Sequence, residues 1–365
     1  MRRSAWALAA TITIALSLAA CGGSESPEPA GDYGSFFGVV PQETPNEADF
    51  ARMAAGGIGS YHLLISWGSV ESAEGSYDWS SYDQVVGELA RNGIEPVPFV
   101  FGTPRFYADV PSEPPTTSED ALAAWAQFLR AAAARYGSDG AFWQDFAESD
   151  PEVEPRPLRT WEIWNEPNSS LFWQPRPDPS DYGELLRRSA TALRGVDPEA
   201  EIMSAGMFVT PASDNAIESY DFLEQLLAED GVLDAVDVVG VHPYSPRVGG
   251  KLGVIDQVEQ TRATIEEAGE DADLWVTEIG WGSDPEVPND LAKSPEQQAE
   301  LLTESLGGLA DDRERLGLRG VLWFSWHDSE ASEDCGWCAT SGLVDADRDS
   351  KPAWLAFTDL TGGEP

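Results

Sequence analysis

Short apolar segments of strand length alternate with amphipathic segments of helix length along most of the chain, and the pattern repeats about eight times. The predicted strands are 36–40, 60–66, 95–101, 158–164, 201–206, 236–241, 273–279 and 319–325. The predicted helices between them are 46–55, 81–91, 119–136, 180–194, 218–229, 254–268 and 295–311. Repeated strand–helix units predict a parallel sheet, and eight of them predict an α/β fold that closes into a (β/α)8 TIM barrel. We therefore predict a single barrel domain over residues 35–360.

The main alternative to a closed barrel is an open, doubly wound sheet. No Gly-x-Gly-x-x-Gly segment follows the first predicted strand, and the chain contains no phosphate-binding loop of the Gly-Lys-Ser type. Most of the long connections, such as 102–118 and 327–352, follow predicted strands rather than helices. In a barrel, connections of that kind form the face that carries the functional site. The stretch 137–157 follows a helix instead, so we predict that it lies on the opposite face.

The first twenty residues have the features of an export signal. Two arginines supply positive charge near the start, and the mostly apolar segment 5–20 is too short to span a bilayer comfortably. The segment ends in Leu-Ala-Ala followed by Cys21, which resembles a bacterial lipobox. This resemblance implies that 1–20 is removed, that Cys21 is lipidated, and that 21–34 tethers the domain to the membrane at the cell surface. The alternative is an ordinary signal peptide with a chance cysteine.

The charge balance excludes some partners. The chain has 22 lysines and arginines against 64 aspartates and glutamates, which gives a formal charge of −42. So negative a field repels nucleic acid and anionic polysaccharide, and we expect neither as a partner. The only three histidines, His62, His242 and His327, show no metal-ligand spacing, so we expect no metal and no other cofactor.

Apart from Cys21, the chain has two cysteines, Cys335 and Cys338, in the string Cys-Gly-Trp-Cys. Two cysteines alone cannot complete a zinc site, and the acidic neighbours Glu333 and Asp334 disfavour a thiolate. We predict a local structural disulfide that holds a long loop, with a redox role as the alternative.

Two glutamates stand where a predicted strand ends and a turn begins. Glu166 lies in Trp-Glu-Ile-Trp-Asn-Glu-Pro-Asn at 161–168, and Glu278 lies in Trp-Val-Thr-Glu-Ile-Gly-Trp at 275–281. These are the ends of the fourth and seventh predicted strands, which face each other across the mouth of an eight-stranded barrel. Cleavage of a glycosidic bond needs one carboxyl that donates a proton and one carboxylate that stays ionised. Glu162, deeper in the same strand as Glu166, is assigned a structural role.

The combination of Asn165-Glu166 on the fourth strand with Glu278 on the seventh resembles glycoside hydrolase clan A. The strings Trp-Asn-Glu-Pro-Asn and His242-Pro-Tyr244 are most similar to family 39-like enzymes, a group of β-xylosidases and related endoglycosidases. The resemblance implies a retaining enzyme that cleaves O-glycosidic bonds in a β-linked oligo- or polysaccharide, with Glu166 as acid/base and Glu278 as nucleophile. It further implies that Asn165 bonds the sugar 2-hydroxyl, that Tyr244 holds Glu278, and that His242 is a polar group at the same rim.

Tryptophans near the strand ends are predicted to line sugar subsites, because a flat indole suits the apolar face of a pyranose. In clan A barrels, a tryptophan at the end of the eighth strand commonly forms the floor of the cleaved sugar's subsite. Trp323 and Trp326 differ by an odd step, so in regular strand geometry only one faces inward, and we assign the role to Trp326, which lies nearer the mouth. Trp281 and Trp173, on the loops after strands seven and four, are candidates for further subsites, with loop-anchoring core residues as the alternative. Trp67 resembles the clan's second-strand signature.

The second predicted strand departs from the clan pattern. Members of the clan usually place an arginine five positions before the tryptophan, under the nucleophile, whereas this chain has His62. Histidine is charged only at lower pH, so a histidine under Glu278 would narrow activity toward mildly acidic pH. His242 or a displaced arginine such as Arg105 are alternative sources of the charge. The rival hypothesis is a catalytically weak or inactive carbohydrate-binding lipoprotein with a glycosidase-like barrel.

Overall fold

The structure, a computed structural model, describes residues 33–209, 212–330 and 335–365. Eight parallel strands form a closed barrel in which each strand pairs with its neighbour along the chain and the last pairs with the first. The strands are β1 (Phe37–Val40), β2 (Ser60–Ser66), β3 (Glu95–Phe101), β4 (Thr160–Ile163), β5 (Glu201–Phe208), β6 (Val238–His242), β7 (Asp273–Ile279) and β8 (Leu318–Phe324). The predicted (β/α)8 fold is therefore confirmed.

Each strand is followed by a helix on the outside of the barrel. The helices are α1 (Glu47–Ala55), α2 (Ser80–Arg91), α3 (Glu119–Tyr136), α4 (Pro179–Arg194), α5 (Ser219–Leu227), α6 (Val254–Glu267), α7 (Pro295–Asp311) and α8 (Pro352–Thr361). Seven of them match predicted helices, and α8 completes the eighth unit. The connection 137–157 contains a further helix, Ala141–Ser149, between α3 and β4. It therefore joins a helix to a strand, away from the loops that follow the strands.

Side-chain caps set several helix starts. The Asn46 side chain accepts hydrogen bonds from two backbone N–H groups at the start of α1, while the Asp49 side chain accepts one from the Asn46 N–H. Ser294 and Gln297 form the same reciprocal arrangement at α7. Such capping boxes satisfy N–H groups that have no partner within the helix, which explains why α7 begins at its predicted residue and α1 within one residue of it.

Two apolar clusters hold the fold. The larger one packs the helices against the outside of the barrel and includes the predicted face of α3, with Trp125 and Phe128 fully buried. The smaller one joins residues from six strands, and we interpret it as the filling of the barrel: Val40, Val97, Met203, Val238, Trp275 and Leu322. Since the strands are parallel, their carboxyl ends meet at one mouth, where the candidate site lies.

The predictions for the signal peptide at 1–20, for Cys21 and for the tether up to residue 32 lie outside the described residues. Within the described ranges, none of the helices combines the length and the hydrophobicity that crossing a membrane would require.

Candidate active site

Glu166 stands just beyond the end of β4, on an irregular turn. Among the described residues only four non-glycine residues have positive φ, and two of them are Trp164 (77°) and Glu166 (38°). Backbone of this kind costs about 1–3 kcal/mol per residue and is concentrated at functional sites. The Glu166 N–H donates to the carbonyl of Gly206 on β5 (3.2 Å), and the side chain remains 13% exposed. Asn165, between the two strained residues, is partly exposed at the same strand end.

Glu278 lies near the end of β7, with 14% of its side chain exposed. Tyr244, two residues beyond β6, donates its hydroxyl proton to Oε2 of Glu278 at 2.8 Å. Burial raises the pKa of Tyr244 well above its ordinary value, so the hydroxyl stays a donor. The contact between Tyr244 and Glu278 that the clan resemblance implied is present.

His242, the last residue of β6, lies fully buried between the two glutamates. Its Nδ1 is 2.9 Å from Oε1 of Glu166 and 3.8 Å from Oε2 of Glu278. Burial by itself lowers the pKa of His242, but the negative charges of Glu278 and Glu166 outweigh that effect and raise the pKa to about 9. At neutral pH, His242 is therefore an imidazolium, and a positive charge lies beside both carboxyl groups.

Opposing effects act on the pKa of Glu278. Burial raises its pKa above the ordinary value, and the charge of Glu166 adds to this. The charge of His242 and the hydrogen bond from Tyr244 act in the opposite direction, because both favour the ionised carboxylate. An ionised Glu278 thus depends on its cationic neighbour and its hydroxyl donor.

The two carboxyl groups are close together. One oxygen of Glu166, one oxygen of Glu278 and a ring nitrogen of His242 all lie within 4.8 Å of one another. Carboxyl groups about 5–5.5 Å apart suit direct attack on a sugar carbon, whereas about 6.5–9.5 Å leaves room for a water. These three groups are also ligand types for a divalent cation. We interpret the group as a carboxylate pair with a histidine between its members, because Oε2 of Glu278 already accepts the hydroxyl proton of Tyr244 and Oε1 of Glu166 lies at hydrogen-bond distance from Nδ1 of His242.

The structure corrects the predictions for two histidines. His62 is 1% exposed, and its Nε2 lies 2.7 Å from Oε2 of Glu162 inside the barrel, so it neither faces a substrate nor bonds Glu278. His62 acts on the pKa of Glu278 only through space, without a hydrogen bond. His242 is also buried, and it bonds Glu166 rather than presenting a polar atom at the rim. Two residues were alternatives to the missing arginine. Of these, His242 contacts the glutamates, whereas Arg105 is exposed.

The tryptophans predicted to line subsites are buried. Trp67, Trp173, Trp281 and Trp326 are 0–1% exposed, so none offers an indole face to a sugar, and their assignment as substrate-binding residues is wrong. Trp281 donates its ring N–H to the carbonyl of Ser245 at 2.7 Å. These are core side chains that anchor loops and helices around the barrel.

Position relative to the strand end explains the error for Trp326. β8 ends at Phe324, so the alternation of side chains along the strand does not extend to residue 326. The indole instead packs edge-on against Trp354 of α8, with ring centroids 5.3 Å apart. Phe324, at the strand end itself, is partly exposed and packs against the cluster that fills the barrel.

Trp337 is an aromatic residue near the pair that the sequence analysis did not single out. Its ring packs edge-on against Tyr244 (centroids 5.3 Å apart) and against Phe324 (5.9 Å). The structure joins Cys335 to Cys338 in a disulfide that closes a four-residue loop around Trp337. The signal was present in the string Cys-Gly-Trp-Cys, because a tryptophan inside so short a covalent loop has little freedom of position.

A cavity of about 1110 Å³ lies beside β2, between the β1–α1 connection and α2. Neither Glu166 nor Glu278 lines it. Because it lacks the paired carboxyl groups, we place the candidate site at the barrel mouth and not in this cavity.

No protein-family model matches the chain, and no curated protein matches it either. Solved structures do share its fold. A family 39 glycoside hydrolase from the gut symbiont Bacteroides cellulosilyticus WH2 has 21% identity and a TM-score of 0.66, over 91% of this chain and 64% of that chain. A GH5_18 protein from Streptomyces cattleya, in complex with Manβ1-4GlcNAc, has 18% identity and a TM-score of 0.62, over 90% of this chain and 80% of that chain. TsXylA, an intracellular xylanase of Thermoanaerobacterium saccharolyticum JW/SL-YS485, has 15% identity and a TM-score of 0.57, over 92% of this chain and 99% of that chain.

The chain thus spans less than two thirds of the length of the family 39 structure. At these identities the likeness establishes the fold, and the chemistry rests on the residues of this chain. The structures it resembles are clan A glycoside hydrolases with (β/α)8 barrels, and the expectation of a clan A-like barrel is confirmed at the level of fold.

Proposed function

We propose that the chain is a retaining glycoside hydrolase that cleaves O-glycosidic bonds in a neutral, β-linked oligo- or polysaccharide. One observation carries this proposal: Glu166 and Glu278, from opposite strands of the barrel, bring carboxylate oxygens within 4.8 Å of each other at the mouth. The strained backbone at Glu166 and the hydrogen bond from Tyr244 to Glu278 support it, since both fix the carboxyl groups in place.

In the first step, Glu166 in its protonated form, in which its charge no longer acts on His242, donates its proton to the glycosidic oxygen while the carboxylate of Glu278 attacks the anomeric carbon. The bond between that carbon and the leaving oxygen breaks, and a covalent glycosyl-enzyme forms on Glu278. The imidazolium of His242 and the hydroxyl of Tyr244 stabilise the carboxylate before attack. We assign to Asn165, at the same strand end, the hydrogen bond to the sugar 2-hydroxyl.

In the second step, the ionised Glu166 removes a proton from water, and the water oxygen attacks the anomeric carbon. The bond to Glu278 breaks, and the anomeric configuration is restored by the second inversion. Each glutamate ends in its starting protonation state. The residues assigned to both steps belong to this chain, and neither step needs a metal ion.

The sugars bound by two of the similar structures, Manβ1-4GlcNAc and xylotetraose, define the first substrates to test. The charge of −42 favours a neutral glycan over an anionic one. We also propose that lipidation of Cys21 anchors the enzyme at the cell surface. Metabolic labelling with a fatty-acid analogue would test the anchor, with a Cys21→Ser variant expected to lose the label.

The second candidate function is carbohydrate binding without turnover. One observation favours it: His62 bonds Glu162, where an arginine would support the nucleophile in the clan this barrel resembles. The intact carboxyl pair favours the enzyme.

Mechanism-based labelling separates the two. The soluble domain from Asp32 onward is incubated with 2-deoxy-2-fluoro β-mannosides, β-xylosides and β-glucosides, and any adduct is mapped by mass spectrometry. A retaining enzyme accumulates an adduct on Glu278, and Glu278→Gln removes it. Glu166→Gln serves as the matched variant, because it should still accept label from a reagent whose leaving group needs no proton. Absence of an adduct across the panel, combined with binding on a glycan array, would favour the binding protein instead.

A further inference from the structure

A buried carboxylate lies beneath the proposed catalytic pair. Glu162 is 1% exposed, and three donors surround it: Nε2 of His62 (2.7 Å), the N–H of Gly206 (2.7 Å) and the hydroxyl of Thr277 (3.1 Å). Three hydrogen bonds offset the free-energy cost of burying the carboxylate. Glu162 is therefore more than a filler of the barrel, because its oxygens determine how the surrounding donors must point.

Thr277 connects Glu162 to the site. Its hydroxyl has one proton, and a carboxylate can only accept, so the proton points to Oε1 of Glu162. The hydroxyl oxygen can then only accept from Nε2 of His242, which lies 3.1 Å away. Glu162 and Thr277 thus fix a proton on Nε2 of His242, and Nδ1, which faces Glu166 at 2.9 Å, is the nitrogen free to exchange its proton.

Gly206 makes this arrangement possible. A Cβ atom at this position would lie 2.1 Å from Cδ2 and 2.2 Å from Nε2 of His242, and 2.7 Å from Oγ1 of Thr277. The same residue donates its N–H to Glu162. The missing side chain lets the imidazole approach β5, and the backbone amide anchors the far end of the chain of hydrogen bonds.

We propose that Glu162 and Thr277 are positioning residues that hold His242 as a doubly protonated cation between Glu166 and Glu278. The cation supplies the charge that a second-strand arginine supplies in the clan this barrel resembles. The expected effect on turnover rests on the proposed function. The expected effect on the protonation of His242 does not.

The charged groups that face His242 belong to β4 and β7, whereas β5 packs against it through Gly206, which carries no side chain. Glu166 follows β4, Glu162 lies on β4, and Glu278 lies on β7, and all three raise the pKa of the imidazole toward about 9. Tyr244 contributes a neutral ring 6.2 Å from the imidazole, and His62 is bonded to Glu162. Three acidic groups therefore support one buried cation.

The test uses the substitution Thr277→Val, which removes the hydroxyl at nearly constant shape, and Thr277→Ser, which keeps it. The first measurement is the ¹⁵N chemical shift of the imidazoles across a pH titration, and the chain has only three histidines to assign. In the unmodified protein and in Thr277→Ser, both nitrogens of His242 should stay protonated up to about pH 9. In Thr277→Val the midpoint should fall by roughly one pH unit or more, because the link to Glu162 is lost.

The second measurement is the pH dependence of kcat/KM. Its alkaline limb should move in the same direction in Thr277→Val, with a loss that approaches about tenfold at pH values above the unmodified midpoint, and should be restored in Thr277→Ser. An unchanged His242 titration in folded Thr277→Val would overturn the proposal, and so would a loss in Thr277→Ser equal to that in Thr277→Val. If the titration shifts but no glycoside is cleaved by any form, the proposed function fails while the network stands.

Discussion

Tyr244→Phe isolates one hydrogen bond to the proposed nucleophile. The substitution removes the hydroxyl that donates to Oε2 of Glu278 at 2.8 Å, while the ring contact to Trp337 can remain. A hydrogen bond to a charged group is worth about 1.5–3 kcal/mol. Since Glu278 must be ionised to attack, kcat/KM should fall by roughly 10- to 150-fold.

The sign of the pH effect follows from the same bond. The Tyr244 hydroxyl stabilises the carboxylate and lowers the pKa of Glu278 against the upward effect of burial. Without the hydroxyl, that pKa rises further, and the acidic limb of kcat/KM should move to higher pH. Stopped assays from pH 4 to pH 8 on an activated glycoside measure the limb directly.

Tyr136→Phe is the matched control for this experiment. Tyr136 donates to the carboxylate of Asp83 at 2.6 Å, so the substitution removes the same kind of bond from α3, far from the barrel mouth. It should lower the free energy of unfolding and leave the acidic limb in place. If Tyr244→Phe also left both the limb and kcat/KM unchanged, the assignment of Glu278 as an ionised nucleophile held by Tyr244 would be refuted.

Three other substitutions, one of them with a matched control, test separate parts of the structure. Gly206→Ala should abolish turnover, because the new Cβ displaces the imidazole of His242. The control is Gly307→Ala in α7, where a Cβ would lie no closer than 4.0 Å to any neighbour, and it should leave turnover unchanged in the same assay. Trp326→Ala should lower the free energy of unfolding by about 3–5 kcal/mol in denaturant titrations and leave KM unchanged, whereas a raised KM at intact stability would return this residue to a subsite. Cys338→Ser opens the loop around Trp337 and should cost about 2 kcal/mol of stability together with a fall in kcat/KM, and an unaltered kcat/KM would show that the loop does not support the site.

The barrel could be predicted because its signal is local. A buried strand and an amphipathic helix each have their own spacing of apolar residues, and eight repeats leave few alternatives to a closed parallel sheet. The limits of β2, β3 and β7 coincide with the predicted strands for this reason. The glutamate pair could be predicted because carboxyl ends of parallel strands meet at one mouth, and two acidic residues lie at such ends.

The roles of the aromatic residues could not be predicted in this way. Whether an indole faces a sugar or the core depends on the packing of elements that are distant in sequence, as the contact between Trp326 and Trp354 shows. The alternation rule also fails beyond Phe324, where β8 ends. The pairing of His62 with Glu162 joins residues a hundred positions apart, and a single sequence gives no spacing from which to infer it.

The structure also alters the argument about the missing arginine. A histidine with an ordinary pKa would lose its charge near neutrality, and activity would then be confined to mildly acidic pH. The chain avoids that outcome by surrounding His242 with three carboxyl groups, which raise its pKa to about 9. Burial raises the pKa of Glu278, the charge of His242 lowers it and the charge of Glu166 raises it further, so the three groups are electrostatically linked. Unlike an arginine, His242 owes its charge to its neighbours. Its protonation is therefore linked to the charges of Glu166, Glu278 and the buried Glu162. For this reason, changes at Thr277 or Gly206, which touch no substrate, should alter the chemistry at the barrel mouth.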